Sequence, residues 1–212
     1  MIPAPRLYVI LDRAVAGDRD LDAILAAALE GGAEMIQLRE KTWPSGTLFP
    51  LAQRLRARCR TARVPFIVND RVDVALAVDA DGVHLGQDDL PLAAARALLR
   101  PGMILGLSTH SAEQAKAAEV AGADYVAVGS MFPTTSKAGF ELVGPALARQ
   151  ARAVVRVPLI GIGGITPENA GEVIAAGADG VAVISAVCAA PDPAAAARRF
   201  LAAIDAAGSL KR

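Results

Sequence analysis

The sequence is poor in cysteine and carries no net charge, and each of these shortages excludes a class of protein. Its 212 residues include only two cysteines, Cys59 and Cys188, too few for a disulfide framework or a thiolate metal site. Both lie in apolar stretches, which predicts buried thiols without a chemical role. The 22 basic and 22 acidic side chains cancel, so a broad nucleic-acid surface, which needs clustered excess cations, is not expected.

Long apolar runs are also missing from the chain. No run of about 18 apolar residues escapes glycine, proline or charge, so we expect no membrane span, and the N-terminus lacks a secretion signal. With 53% hydrophobic and 21% charged residues, the chain is not expected to be disordered or fibrous. The composition predicts a cytoplasmic α/β protein with one domain over residues 1–212, since a single barrel has this length.

A repeated pattern organises the chain. Four segments place small residues and an acid before β-branched residues, and they alternate with four apolar runs entered near a proline. The acids are Glu34, Asp81, Asp124 and Asp179, and the prolines are Pro5, Pro65, Pro101 and Pro158. All eight runs are short, Val- and Ile-rich and without polar alternation, which is typical of strands buried on both faces.

Segments with helical spacing separate these runs. They include 21–29, 48–62, 91–99, 112–121, 145–153, 168–176 and 194–206. Alternating βα units predict a parallel sheet, and eight units predict a single (β/α)8 TIM barrel with strand 1 from about residue 7 and the last helix near 193–206. An open doubly wound sheet is the alternative, although the glycine pattern typical of its first turn is absent.

In a parallel barrel the active site lies where the strands end. Gln37, Arg39 and Lys41 follow one another with the same parity at the end of strand 2, so they point the same way. Two cations and an amide at the mouth of the barrel suit a polyanion such as a diphosphate. The alternative is a solvated run of charges.

Asp70 and Asp89 end the neighbouring strands 3 and 4. Carboxylates in a diphosphate pocket would repel the ligand unless a hard dication lay between them, which favours Mg²⁺. Taken singly, each acid is better explained as a helix cap, and it is the neighbouring Gln37, Arg39 and Lys41 that make the metal the preferred interpretation.

The glycine-rich segment 161–165 ends strand 7, and Ser185 ends strand 8 beside it. Free amides and a helix starting near Thr166–Glu168 predict a phosphate site here. The alternative is that the glycines only form tight turns.

The loop after strand 6 is long enough for a lid and carries Thr134, Ser136 and Lys137. Of the two histidines, His84 and His110, each is expected to be a structural hydrogen-bonding residue, and His110 is the better catalytic candidate. Trp43 and Phe132 either cover a flat ring or pack.

From Leu7 to about Ala203, the chain closely resembles the thiamine phosphate synthase family. The resemblance rests on the order of seven motifs: QLREK at 37–41, VNDRVDVAL at 68–76, GVHLGQDDL at 82–90, GLSTHS at 106–111, GSMFPTTSK at 129–137, GIGGI at 161–165 and VISAV at 183–187. It implies a transferase that joins a hydroxymethylpyrimidine diphosphate to a thiazole phosphate and releases pyrophosphate by a dissociative substitution.

The resemblance also implies residue roles. The pyrimidine diphosphate site comprises Gln37, Leu38, Arg39, Glu40, Lys41, Asn69, Ser108 and Lys137, of which Arg39, Lys41, Ser108 and Lys137 are catalytic. The thiazole phosphate site comprises Thr134, Thr135, Ser136, Gly164, Ile184 and Ser185. Asp70 and Asp89 bind one Mg²⁺ per subunit. A homo-oligomer is compatible with this reading, and no nucleic-acid or membrane partner is expected.

The chain departs from the family pattern at two positions and over the stretch AGFELVG at 138–144. Ser130 stands where many relatives have proline, and Ser136 replaces a more usual threonine. Three alternatives stay open at this stage. They are a related thiazole tautomerase that would use His110, an inactive barrel that binds a phosphorylated metabolite, and a phosphosugar isomerase.

Overall fold

Eight parallel strands close into a barrel. The computed structural model describes residues 3–134 and 143–209. Each strand pairs with the next along the chain and β8 pairs with β1, so the predicted (β/α)8 fold is confirmed. The strands are β1 Leu7–Asp12, β2 Met35–Arg39, β3 Phe66–Asn69, β4 Gly82–Leu85, β5 Ile104–Thr109, β6 Tyr125–Val128, β7 Leu159–Ile162 and β8 Gly180–Val183.

Helices surround the barrel. Within the described residues they are α1 Arg13–Ala16, α2 Leu21–Glu30, α3 Ser45–Ala62, α4 Val72–Ala77, α5 Leu92–Leu98, α6 Ala112–Val120, α7 Gly144–Val154, α8 Ala170–Ala175, α9 Ser185–Cys188 and α10 Pro193–Ser209. The single-turn helices α1 and α9 were not predicted, because four residues give too short a pattern to show helical periodicity. No helix in the described ranges combines the length and hydropathy that a bilayer crossing requires.

The strands separate two apolar layers. Along β1, Leu7, Val9 and Leu11 pack under the helices, whereas Tyr8 and Ile10 point into the barrel. The interior layer comprises Tyr8, Ile10, Met35, Ile67, Ile104, Tyr125, Ile160 and Ala182. Since both faces of each strand are covered, the strands appear in the sequence as unbroken apolar runs.

Both cysteines are buried, as predicted. Burial raises the pKa of the Cys59 thiol to about 12 and that of Cys188 to about 11. The two thiols therefore stay protonated at neutral pH and take part in packing.

The four acids of the repeat lie at the N-terminal end of the barrel. Each carboxylate accepts a backbone N–H beside the start of the preceding odd-numbered strand and pairs with an arginine. Asp124, for example, accepts from the Leu105 N–H at 2.8 Å and contacts Arg96 Nη2 at 2.6 Å. The other pairs are Glu34–Arg6, Asp81–Arg56 and Asp179–Arg152. The repeat thus joins successive βα units, a stabilising role typical of this face of a barrel.

Replacing Asp124 with alanine is expected to lower the free energy of unfolding by about 1–3 kcal/mol, because the N–H of the fully buried Leu105 loses its acceptor. Urea unfolding followed by circular dichroism measures the change. Glu30→Ala is the control, since the Glu30–Arg198 pair is exposed and is worth about 0–1 kcal/mol. Equal losses in the two variants would contradict a structural role for the repeat.

Candidate active site

Arg39 ends β2 beside Asp12, which ends β1. The two residues are register partners, and Arg39 Nη1 forms an ion pair with Asp12 Oδ2. Asp12 is 1% exposed, and its other oxygen accepts the Val15 N–H of α1 at 3.1 Å. The guanidinium is therefore held by a buried carboxylate that is itself held by the first turn of a helix.

Two buried donors lie side by side at this end of the barrel. Leu38 of β2 pairs with Val68 of β3, so Arg39 and Asn69 follow at the same level on adjacent strands. Among the described residues, Arg39 Nε and Asn69 Nδ2 are buried and have no hydrogen-bond partner. Buried donors are almost always satisfied in native proteins, so these two indicate a ligand that accepts hydrogen bonds.

The loops after β2, β3 and β4 bring the Lys41 ammonium close to the carboxyls of Asp70 and Asp89. Lys41 Nζ lies 2.5 Å from Asp70 Oδ2, and the carboxyl groups of Asp70 and Asp89 are hydrogen-bonded to each other. Burial and Asp89 raise the pKa of Asp70 in spite of Lys41. Burial opposes ionisation of Asp89 as well, but hydrogen bonds from Asp70 and the Gly86 N–H lower its pKa.

This carboxyl pair fits a magnesium ion. Asp70 and Asp89 lie close enough for each carboxyl to shift the pKa of the other, and a dication bound here would offset both negative charges. The described residues contain no group of three His, Cys, Asp or Glu side chains suited to a metal. Two carboxylates are nevertheless sufficient, because Mg²⁺ commonly binds one or two together with substrate phosphates and water.

Asp70 and Asp89 do not cap the helices that follow them. The residue before α4 is Arg71 and the residue before α5 is Pro91, and neither helix has a side-chain cap. Asp89 instead accepts the Gly86 N–H within its own loop at 2.7 Å.

Three further residues predicted for the diphosphate site have different surroundings. Gln37 is buried inside the barrel and donates from Nε2 to the Tyr8 hydroxyl at 2.6 Å. The Leu38 side chain packs in the outer layer, so only its backbone can face the mouth. Glu40 accepts hydrogen bonds from Thr42 and Trp43 and so holds the turn after β2. Burial opposes ionisation of the Glu40 carboxyl, but these hydrogen bonds outweigh burial and lower its pKa.

A second part of the mouth is a cleft of about 630 Å³, open to solvent, between β5 and β8. Five residues predicted from the sequence line it together: Ser108, Thr134, Gly164, Ile184 and Ser185. Thr135, Ser136 and Lys137 lie outside the described residues.

The glycines after β7 have a packing role. Gly163 and Gly164 have positive φ, and a Cβ on Gly164 would lie 2.6 Å from the Phe132 carbonyl oxygen. The segment after β6 docks here, with the Phe132 N–H donating to the Gly163 carbonyl at 2.9 Å. The glycines thus let the loops after β6 and β7 form one wall of the cleft.

The turn that leads into α8 starts at Thr166, as predicted, although the regular part of the helix spans Ala170–Ala175. The Thr166 carbonyl accepts the Ala170 N–H at 2.9 Å, and Asn169 Oδ1 accepts the Thr166 N–H at 2.8 Å. Because the regular part of α8 has only six residues, its dipole is small.

Both histidines make hydrogen bonds, as expected. His84 lies in the barrel, with Nε2 2.9 Å from Ser108 Oγ and Nδ1 2.8 Å from the Tyr125 hydroxyl. His110 lines the cleft, and its Nδ1 lies 2.7 Å from the Gly129 carbonyl oxygen. Trp43 and Phe132 both pack against the outer layer.

Sequence reasoning missed Asp12, Tyr8 and Tyr125. Asp12 directly follows the first apolar run, so the same strand-end rule that selected Arg39 and Asp70 would have found it. The two tyrosines carry no such signal, since their hydroxyl groups are surrounded by apolar sequence and meet only in the folded barrel.

The comparisons with known proteins agree with this geometry. The profile of the thiamine monophosphate synthase family matches residues 7–187. The thiamine-phosphate synthase of Methanospirillum hungatei is 52% identical over 195 residues, covering 92% of this chain and 95% of that protein. The corresponding protein of Chlorobium luteolum is 54% identical over 200 residues, covering 94% and 92%.

A solved structure shares the fold at substantial identity. The thiamine phosphate pyrophosphorylase from Pyrococcus furiosus matches with a TM-score of 0.87 and 41% identity, covering 95% of this chain and 96% of that one. The profile match and the level of identity lead to the same conclusion: the chain belongs to the thiamine monophosphate synthase family.

Proposed function

We propose that the chain makes thiamine phosphate in the cytoplasm by joining a hydroxymethylpyrimidine diphosphate to a thiazole phosphate, with release of pyrophosphate. The observation that carries the proposal is the pair of buried donors, Arg39 Nε and Asn69 Nδ2, without a partner in the described part of the chain. They adjoin Lys41 and two facing carboxyls, a set that suits a diphosphate with a dication.

The proposed diphosphate site is formed by the residues at the C-terminal ends of β2, β3 and β4. Arg39 presents a fork to the phosphate oxygens, and Asn69 and Lys41 add donors from either side. Asp70 and Asp89 would hold one Mg²⁺ per subunit. When bound, the ion offsets the charge of the diphosphate and of the departing pyrophosphate.

The cleft between β5 and β8 is the proposed thiazole phosphate site. Thr134 and Ser185 supply hydroxyl groups, and the backbone at Gly164 approaches without a side chain in the way. Ser108 lines this cleft and lies on the strand next to β4, so it stands between the two sites.

The resemblance to the family implies a dissociative substitution. The bond between the pyrimidine methylene carbon and the diphosphate oxygen breaks, pyrophosphate leaves with the electron pair, and the thiazole nitrogen attacks the carbon. The chain's own part is to hold the leaving group with fixed donors and to place the thiazole close to the methylene carbon.

The experiment is an assay of thiamine phosphate and pyrophosphate with purified protein, both substrates and Mg²⁺, with and without a chelator. We expect the two products in equal amounts, and no product once the chelator is present, because diphosphate binding beside Asp70 and Asp89 needs the cation. Turnover that survives the chelator would contradict the metal site.

A different result would contradict the whole proposal. If thiazole phosphate binds but no thiamine phosphate forms, the cleft is a binding site and the protein does not catalyse the condensation. That result would favour a tautomerase or a binding protein of the same fold.

A further inference from the structure

A chain of four buried hydrogen bonds crosses the interior of the barrel. Gln37 Nε2 donates to the Tyr8 hydroxyl at 2.6 Å, which lies 2.9 Å from the Tyr125 hydroxyl. The Tyr125 hydroxyl lies 2.8 Å from His84 Nδ1, and His84 Nε2 lies 2.9 Å from Ser108 Oγ. The chain thereby connects the ends of β2 and β5, the two strands that carry Gln37 and Ser108.

The barrel makes space for this chain at one glycine. Gly106 of β5 is the register partner of both His84 on β4 and Tyr125 on β6. A Cβ on Gly106 would lie 2.1 Å from the Tyr125 ring, so only glycine fits. The missing side chain lets the rings of His84 and Tyr125 stack across β5, with centroids 5.5 Å apart.

The chain has a direction that begins at Gln37. An amide nitrogen can only donate, so the Tyr8 oxygen is an acceptor for Gln37 and its own hydrogen is left for Tyr125. Among the described residues the Tyr8 hydroxyl has no other acceptor, and a buried hydrogen without one is costly. Tyr125 then donates to His84 Nδ1, which leaves the ring hydrogen on Nε2.

Burial keeps both tyrosine hydroxyls protonated. It raises the pKa of both tyrosines well above the ordinary value, so each hydroxyl keeps its hydrogen and can donate once. With Nδ1 of His84 as acceptor, Nε2–H donates to Ser108 Oγ, and the Ser108 hydrogen is free to point elsewhere.

We propose that the chain Gln37–Tyr8–Tyr125–His84–Ser108 fixes His84 as the Nε2–H tautomer and thereby presents Ser108 to the substrate as a hydrogen-bond donor. In this proposal Tyr8, Tyr125 and His84 are positioning residues, because they act through Ser108. The group that Ser108 recognises is a hydrogen-bond acceptor, such as a diphosphate oxygen or a pyrimidine ring nitrogen. The effect of this hydrogen-bond chain on turnover rests on the proposed function, whereas the tautomer of His84 does not.

Nitrogen-15 NMR of histidine-labelled protein at pH 8 tests the tautomer directly. The chain has two histidines, so a His110→Gln variant assigns the spectrum. In the substrate-free protein we expect a protonated Nε2 and an unprotonated Nδ1 on His84. Tyr8→Phe keeps the ring and removes the hydroxyl that sets the direction, so we expect the Nδ1–H tautomer to appear as well.

A matched control removes a buried hydroxyl that lies outside the chain. Thr109 neighbours Ser108 on β5, and its Oγ1 donates to the Ala127 carbonyl at 3.2 Å. Thr109→Val is expected to leave the His84 tautomer as in the wild type. Tyr125→Phe, which removes the partner of Nδ1 itself, is a second variant with the same expected mixture as Tyr8→Phe.

Kinetics separate a positioning role from a structural one. We expect Tyr8→Phe to lower kcat roughly ten- to a hundredfold, as a misplaced reacting group does, and to leave KM for the thiazole phosphate unchanged. An Nδ1–H tautomer in the wild type, or a Tyr8→Phe variant with unchanged tautomer or kcat, would overturn the proposal. An Nε2–H tautomer in a protein without synthase activity would support the network and overturn the proposed function, so the two failures are distinguishable.

Discussion

Replacing Arg39 with alanine is expected to lower kcat/KM about 10²- to 10³-fold, the loss that follows removal of one fixed donor to a developing oxyanion. Its guanidinium carries one of the two unpartnered buried donors, and nothing else on β2 can reproduce its fork. The same change leaves Asp12 buried without its cation, which costs about 3–5 kcal/mol of stability. Steady-state kinetics and urea unfolding measure the two losses separately.

Arg39→Lys distinguishes catalysis from folding. A lysine ammonium can still pair with Asp12, so we expect most of the stability to return, but it lacks the planar fork and kcat/KM stays low. Arg54→Ala is the control, because the Arg54 side chain is 59% exposed and pairs with Asp22 on the outside of the barrel. Wild-type kcat/KM in Arg39→Lys would contradict the proposed role of the guanidinium.

The strands could be predicted from the sequence because a local property determines them. A strand covered on both faces has to be apolar throughout, and an acid at a fixed place before every second strand marks the repeat. The start of α8 has a local cause as well. Thr166-Pro167 marks the turn, the Thr166 carbonyl accepts the Ala170 N–H, and Asn169 Oδ1 accepts the Thr166 N–H.

The sequence predicts which residues lie at the strand ends, but it does not predict which side chains contact one another there. Arg39, Asn69, Asp70 and Asp89 could be named because each follows an apolar run. Their partners could not be named, because Asp12 is 27 residues from Arg39 and Tyr8 is 117 residues from Tyr125. Only the closed barrel brings these pairs together, so the buried support of the site has no signature in the sequence.

Asp89→Asn is expected to separate metal binding from stability. In the substrate-free protein, the amide keeps the size of the carboxyl and can still hydrogen-bond to Asp70, so the free energy of unfolding should change little. Asparagine Oδ1 can still accept the Gly86 N–H, so the loop keeps its bond. The lost ligand should nevertheless weaken Mg²⁺ binding in the presence of pyrophosphate by at least roughly 10- to 100-fold, since even outer partners of metal ligands have effects of that size.

Calorimetric titration of Mg²⁺ with pyrophosphate present measures this loss, and turnover should fall with it. Asp73→Asn is a matched control, because Asp73 lies three residues from Asp70 but pairs with Arg71 and is 58% exposed. A purely structural Asp89 would give the reverse pattern, with wild-type Mg²⁺ affinity and reduced stability. The two measurements together decide whether the carboxyl pair is a metal site. Loss of a metal ligand lowers the Mg²⁺ affinity and leaves the fold stable, whereas loss of a residue that only braces the loop lowers the stability and leaves the Mg²⁺ affinity unchanged.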